Sequence, residues 1–315
     1  MPSEALAAVH LSKSYGKRSA LRGVSFQVGR GESVGYLGPN GAGKTTTLKL
    51  LSGLSRPTAG SVRVLGHDPS RDRDRVLSGV GALVETPGVP PYLTGGDLLN
   101  YFARVKGIPA RERSEAVRRA AQPLVPLESL DRPFGTLSSG LARRVLLAAS
   151  LVGDSEVLLL DEPTMGLDPV ARHDLRAVLR ELVRGGKTIL LSTHLLEDVL
   201  EVCDRVLFLR DGVIVGDEPV RPSGNLGSNR TESTVRLRFA ADLTPENVGR
   251  IAAPETRIVI EGPRQLLVHF VGGESEQAEI VARVVRSGVP LVSATPPEPD
   301  LARRYLEKVG REEAT

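Results

Sequence analysis

No tryptophan occurs in this chain of 315 residues, and tyrosine and phenylalanine number only five and six. That scarcity argues against a platform for stacking unpaired bases, which needs exposed rings in series. The single cysteine, Cys203, cannot close an internal disulfide. A disulfide scaffold is therefore excluded, a reducing cytoplasm fits, and Cys203 reads as a small buried thiol. An excess of one charge is also missing: 41 basic residues face 38 acidic ones, a formal net charge of +3. Basic and acidic residues nearly balance within each part on either side of residue 229, so the concentrated positive field of a nucleic-acid groove is absent and no nucleic-acid partner is expected. Long apolar runs are lacking too. Stretches such as 145–149 and 157–160 fall far short of the ~18 residues that cross a bilayer. The first ten residues lack a basic segment followed by an apolar core, so no signal peptide is expected.

What is present is ordinary for a folded protein of about two domains: 40% hydrophobic and 25% charged residues, with glycine and proline below low-complexity levels. No internal repeat is visible. The chain opens on two short β-rich segments separated by Gly16-Lys17-Arg18. A strand ending near Leu37 follows, then a glycine-rich loop, then helical spacing in Leu48, Leu51 and Leu54, closed by Pro57 and Gly60. Further strands run through residues 61–66 and end at Leu83-Val84. From Gly95 to about Leu130 the pattern is helical and arginine-rich. Arg104, Lys106, Arg111, Arg113, Arg118 and Arg119 could meet an acidic partner, although a solvated helix face is the simpler reading. Two buried strands, 156–163 and 187–193, flank a helix over 169–183. Apolar strands alternating with helices predict a parallel sheet covered on both faces. Residues 221–230 read as a linker closing a first domain of 1–220, whose helical part spans about 86–150. The remainder, 231–315, has β-α-β-β-α-β order, compatible with a small ferredoxin-like α+β domain, and ends in a short charged helix.

The segment Gly38-Pro39-Asn40-Gly41-Ala42-Gly43-Lys44-Thr45 matches the phosphate-binding pattern G-x-x-x-x-G-K-[ST], between a predicted strand and a predicted helix. Glycines let successive N–H groups turn inward around a phosphate, and the helix start adds its positive dipole end. Lys44 can reach the terminal phosphates, Thr45 can offer a hydroxyl to Mg²⁺, and Thr46 extends the loop. Asp161 and Glu162 stand at the tip of an apolar strand, where ligands of open α/β sheets bind. There Asp161 can hold the Mg²⁺ shell and Glu162 can act as a base on water.

With these motifs in order, residues 5 to about 220 resemble an ATP-binding-cassette (ABC) ATPase. Leu137-Ser138-Ser139-Gly140-Leu141 is similar to the signature motif of that family, with Ser139 in place of the usual glycine and Leu141 where Gln is common. The resemblance implies that Ser138, Ser139 and Gly140 close over ATP held by a second chain, that Tyr15 stacks on adenine, that Asp168 links the two nucleotide sites and that His194 contacts the γ-phosphate. Glu85 departs from the family's usual Gln, as in exporters of peptide antibiotics and lantibiotics. As a carboxylate it could still ligate Mg²⁺. Residues 230–315 resemble the C-terminal extension of drug and bacteriocin exporter ATPases.

The implied protein is an ATP- and Mg²⁺-dependent ATPase subunit of a bacterial exporter. It would lie on the cytoplasmic face of the membrane, bound to a separately encoded permease, and two identical or related chains would sandwich two ATP molecules. A soluble relative acting on ribosomes or nucleic acid is the alternative, and the charge balance argues against it. A kinase or GTPase of another phosphate-loop class is opposed by the Leu137–Leu141 motif and His194.

Overall fold

The computed structural model describes residues 4–85, 88–220, 232–253, 255–295 and 300–309. These fall into two units, one of residues 4–220 with 305–309 and one of 232–304. The expected linker, 221–230, lies outside the described residues.

In chain order the first unit begins with β1 (Glu4–Tyr15), β2 (Arg18–Gly29), β3 (Ser33–Leu37), α1 (Lys44–Leu51), β4 (Ala59–Val64), α2 (Arg73–Gly79) and β5 (Val80–Leu83). It continues with α3 (Gly95–Val105), α4 (Ala110–Ala121), α5 (Ser139–Leu151), β6 (Val157–Asp161), α6 (Pro169–Arg184), β7 (Thr188–Thr193), α7 (Leu196–Val202), β8 (Arg205–Arg210) and β9 (Val213–Pro219). Strands β2-β1-β4 form an antiparallel sheet. The larger sheet has the order β5-β6-β7-β3-β8-β9, parallel except for the last pair.

Every residue of β3, β6 and β7 is buried, as their unbroken apolar runs require of strands covered on both faces. Each Leu of β6 contributes roughly 1.5–3 kcal/mol by leaving water. This stiff strand ends in Asp161. The core reaches from the small sheet through Leu6, Leu11 and Phe26 to Tyr36, Leu48 and Leu159. Helices α3, α4 and α5 pack on one another. Thr94 starts α3 with a reciprocal cap, accepting from Asp97 N–H at 3.0 Å while its own N–H donates to the Asp97 carboxylate.

Helix α1 stops at Leu51, one turn short of the expected end. Gly53 takes φ +73°, a left-handed turn open to glycine, and Leu54 is left 59% exposed outside the helix.

The second unit comprises β10 (Glu232–Phe239), α8 (Pro245–Ile251), β11 (Arg257–Gly262), β12 (Gln265–Val271), α9 (Glu274–Arg286) and β13 (Leu291–Thr295), in the antiparallel order β11-β12-β10-β13. This is the ferredoxin-like arrangement. Its own core joins Val235, Leu237, Phe239, Val268 and Phe270 to Ile251, Ile280 and Val284 of the two helices. Helix α10 (Asp300–Val309) follows, and its residues 305–309 fall with the first unit. There the Tyr305 ring lies tilted with its centre 6.0 Å from that of Phe208, and Lys308 pairs with Glu218 at 2.5 Å.

Candidate functional site

Between the end of β3 and the start of α1, the Gly38–Gly43 loop is fixed by what surrounds it. A Cβ on Gly38 would lie 2.2 Å from the Leu209 carbonyl, so no larger residue fits. Gly43 adopts φ +111°, and a Cβ there would stand 2.7 Å from the Ala20 carbonyl. Gly41 is left-handed as well, at φ +82°. Pro39 O accepts from the Ala42 N–H at 3.2 Å, and Ala42 O in turn accepts from Gly212 N–H. Lys44 is buried, its ammonium donating to Gly38 O at 2.6 Å and Pro39 O at 3.2 Å.

Opposite the loop, Asp161 accepts from Thr45 Oγ1 at 2.7 Å through one oxygen and from Ser192 Oγ through the other. Glu162 turns the chain with φ +46°, a strained conformation for a residue with a side chain. Two contacts hold the turn: its N–H donates to Ser192 O at 3.0 Å, and its carbonyl accepts from Arg143 Nη2 at 2.6 Å. The carboxylate is thereby aimed at the loop. One oxygen lies 2.8 Å from His194 Nδ1 and the other 3.4 Å from Lys44 Nζ. Tyr15, Arg18, Ala20, Asn40, Gly41, Gly43, Lys44, Thr45, Thr46 and Glu162 line a cleft of about 390 Å³ here. Tyr15 is half exposed, with Lys13 Nζ 4.9 Å from its ring centre. A flat ring at one end and a nest of N–H groups at the other suit a planar base joined to phosphates.

Other residues singled out from the sequence lie apart from the cleft. Ser138 starts α5, its hydroxyl accepting from Leu141 N–H at 3.3 Å, and neither Ser139 nor Gly140 lines the cleft. Asp168 starts α6, accepting from Ala171 N–H at 3.0 Å, and that bond holds its carboxyl below the usual range. Glu85, at φ +62°, pairs with Lys49 Nζ at 2.5 Å, whereas Thr45 and Asp161 bond to each other.

Sequence reasoning missed four supporting residues. Arg18 lines the cleft beside Tyr15. Arg143, buried inside α5, donates to the carbonyls of Asp161 at 2.9 Å, Glu162 and Pro163 at 3.3 Å. Burial lowers its pKa, an effect opposed by the Asp161 and Glu162 carboxylates. Ser192 ties β7 to Asp161. Asp198, fully buried, accepts from Thr164 Oγ1 at 2.5 Å and Thr193 Oγ1 at 3.1 Å on one oxygen, and from Arg176 Nε at 2.7 Å on the other. The available signals were polar residues inside apolar runs: Arg143 before Val145–Ala149 and Ser192 within a buried strand.

A family model described as ABC transporter matches residues 21–165. Nod factor export ATP-binding protein I of Paraburkholderia xenovorans is 41% identical over 216 residues, which cover 67% of this chain and 70% of that protein. Its counterpart in Burkholderia orbicola is 43% identical over 208 residues, 64% of this chain and 67% of that protein. The linearmycin resistance ATP-binding protein LnrL of Bacillus subtilis is 28% identical over 315 residues, 97% of this chain and 98% of that protein. Among solved structures, the ATP binding subunit of an ABC transporter matches with TM-score 0.63 at 29% identity, over 68% of this chain and 90% of that one. A cassette solved as a post-hydrolysis dimer with ADP and Pi shares the fold, with TM-score 0.63 at 24% identity, over 69% of this chain and 99% of that one. The matched stretch runs from before the phosphate loop to just past Asp161 and Glu162, and on these grounds the chain belongs to the ABC transporter ATP-binding family and is an ATPase of that class.

Proposed function

We propose that this chain is the ATP-hydrolysing subunit of a bacterial exporter, with a cargo of the drug or antimicrobial-peptide class. It works at the cytoplasmic face of the membrane with a separately encoded permease. The observation that carries the reading is the Glu162 carboxylate held over the phosphate loop between Lys44 and His194. In that position Glu162 accepts the proton of an attacking water, His194 orients the carboxylate, and Lys44 with the N–H groups of Gly38–Gly43 holds the phosphates. Tyr15 receives the adenine.

Thr45 and Asp161, already hydrogen-bonded to each other, form the hard oxygen pair that suits Mg²⁺ bound through a carboxylate, a hydroxyl and phosphate oxygens. When bound, the ion neutralises phosphate charge. Glu85 would join this set only by leaving Lys49. Ser138, Ser139, Gly140 and Asp168, which lie outside the chain's own cleft, act on the nucleotide of a second copy. Export is supported by relatives named for Nod factor export and linearmycin resistance, the latter alignable along nearly the whole chain. Among the described residues no helix is long and apolar enough to cross a membrane, so the transport path belongs to the permease.

Co-expression with the permease encoded nearby tests the reading. The chain should sediment with membranes through that permease, which should raise its ATPase rate several-fold. Sedimentation with ribosomes instead, and an ATPase rate indifferent to the permease, would overturn it.

A further inference from the structure

Strand β11 closes one edge of the second unit's sheet. An edge strand presents a row of unpaired N–H and C=O groups, and proteins blunt such edges with charge, proline, irregular pairing or a cover. Three other edges of this chain, β5, β9 and β13, carry such devices. On β5 the Lys106 ammonium donates to Val80 O at 3.0 Å. Strand β9 ends in Asp217, Glu218 and Pro219. Strand β13 is only five residues long, and its register against β10 is irregular.

Among the described residues, strand β11 has none of these at its centre. Ile258, Val259 and Ile260 run through it, with Val259 37% and Ile260 63% exposed, and its one irregularity falls at the end, between Ile260 and Gly262. Its sequence is also complementary to itself. Run antiparallel about Val259, it sets Val259 against Val259, Ile258 against Ile260 and Arg257 against Glu261. Alternation puts Arg257, Val259 and Glu261 on one face, so the opposite charges meet side by side. On that face Glu261 already accepts from Arg236 at 2.7 Å, and a second copy's Arg257 would approach its other flank. The same pairing covers Ile260, which the chain alone leaves in water.

We propose that β11 is a self-pairing edge: two copies of this chain join β11 to β11 antiparallel about Val259, fusing two four-stranded sheets into one of eight. The occupant is a second copy because charge and apolar contact both match only in this register. The contact needs no nucleotide. It is distinct from pairing through ATP, and it would hold two cassettes at high effective concentration between rounds of hydrolysis.

Disulfide trapping of the full chain, free of nucleotide, tests the register. Cys203 is buried and burial pushes its thiol far up, so it stays inert. Facing residues of an antiparallel pair have Cα atoms about 4.5–5.5 Å apart, within disulfide reach. Val259→Cys should therefore give a covalent dimer on mild oxidation. Arg257→Cys alone should not, because the two copies of that residue lie roughly 13 Å apart along the strands. A mixture of Arg257→Cys with Glu261→Cys chains should cross-link. Adding Ile260→Lys, at an exposed position, should cut trapping through Val259→Cys about tenfold. Equal trapping through Arg257→Cys and Val259→Cys would reduce the contact to random collision and overturn the register. Trapping through Thr295→Cys and not Val259→Cys would assign the contact to the β13 edge, and no trapping at any position would rule out pairing altogether.

Discussion

His194 Nδ1 lies 2.8 Å from the Glu162 carboxylate, bridging the ends of two neighbouring strands. The ring thus fixes one oxygen while Lys44 faces the other. Glu162→Gln keeps shape and hydrogen bonding but removes the proton acceptor, so steady-state hydrolysis should fall ~10²–10⁴-fold. ATP binding should survive, and a stable ATP-bound dimer should appear by light scattering in MgATP. Hydrolysis at the parental rate would transfer the role of base to another group, with His194 first in line.

Arg143 satisfies three successive carbonyls at the turn after β6 with one buried guanidinium. Arg143→Met keeps the length and removes every donor, leaving those acceptors in a dry site. Urea unfolding should register a loss of about 2–4 kcal/mol. Arg143→Lys, which keeps the charge without the fork, should fall between parent and Met.

In the Lys49–Glu85 pair the carboxylate is exposed and the lysine partly so, and Glu85→Gln should change stability by less than about 1 kcal/mol. Nucleotide affinity should also stay near normal. Its effect should appear as altered stimulation of ATPase by the permease. Identical transport and hydrolysis with either residue would leave Glu85 without a special role.

Neither Ser138 nor Gly140 reaches the chain's own cleft. Ser138→Arg and Lys44→Ala should each inactivate a homodimer, the second by loss of MgATP affinity. Mixed, the two should regain one working composite site per heterodimer. Heterodimers that demonstrably form without recovered ATPase would exclude action across chains.

Lys106 should impose a pH dependence on stability. Burial, helped by the nearby Lys187 charge, lowers its pKa from 10.5 to about 8. Between those two values the unfolded chain binds the extra proton, so this lysine's contribution to stability rises as pH rises from about 8 to 10.5. The rise should be on the order of 1–2 kcal/mol after discounting its partial exposure. Chemical denaturation across that range should show it in the parent and not in Lys106→Met.

The phosphate loop and the Asp161-Glu162 strand end were legible in the sequence because each is one contiguous segment. Its chemistry depends on neighbours a few residues away. The ferredoxin-like order was legible for a similar reason, from alternating segments bounded by turns. Arg143 and Ser192 were not, since each reaches Asp161 or its carbonyl across 18 and 31 residues of chain, and only the folded sheet sets that distance. The early end of α1 was hidden because Leu54 continues the apolar spacing while Gly53 breaks the backbone.

Asp198 has one further consequence. Thr164 lies on the way from Glu162 to Asp168, Thr193 immediately precedes His194, and both hydroxyls hang from a single carboxylate oxygen in a dry interior. The turn after β6 and the turn after β7 are therefore tied to one buried point. Moving one turn without the other would break one of these two buried hydrogen bonds and leave a polar group unsatisfied.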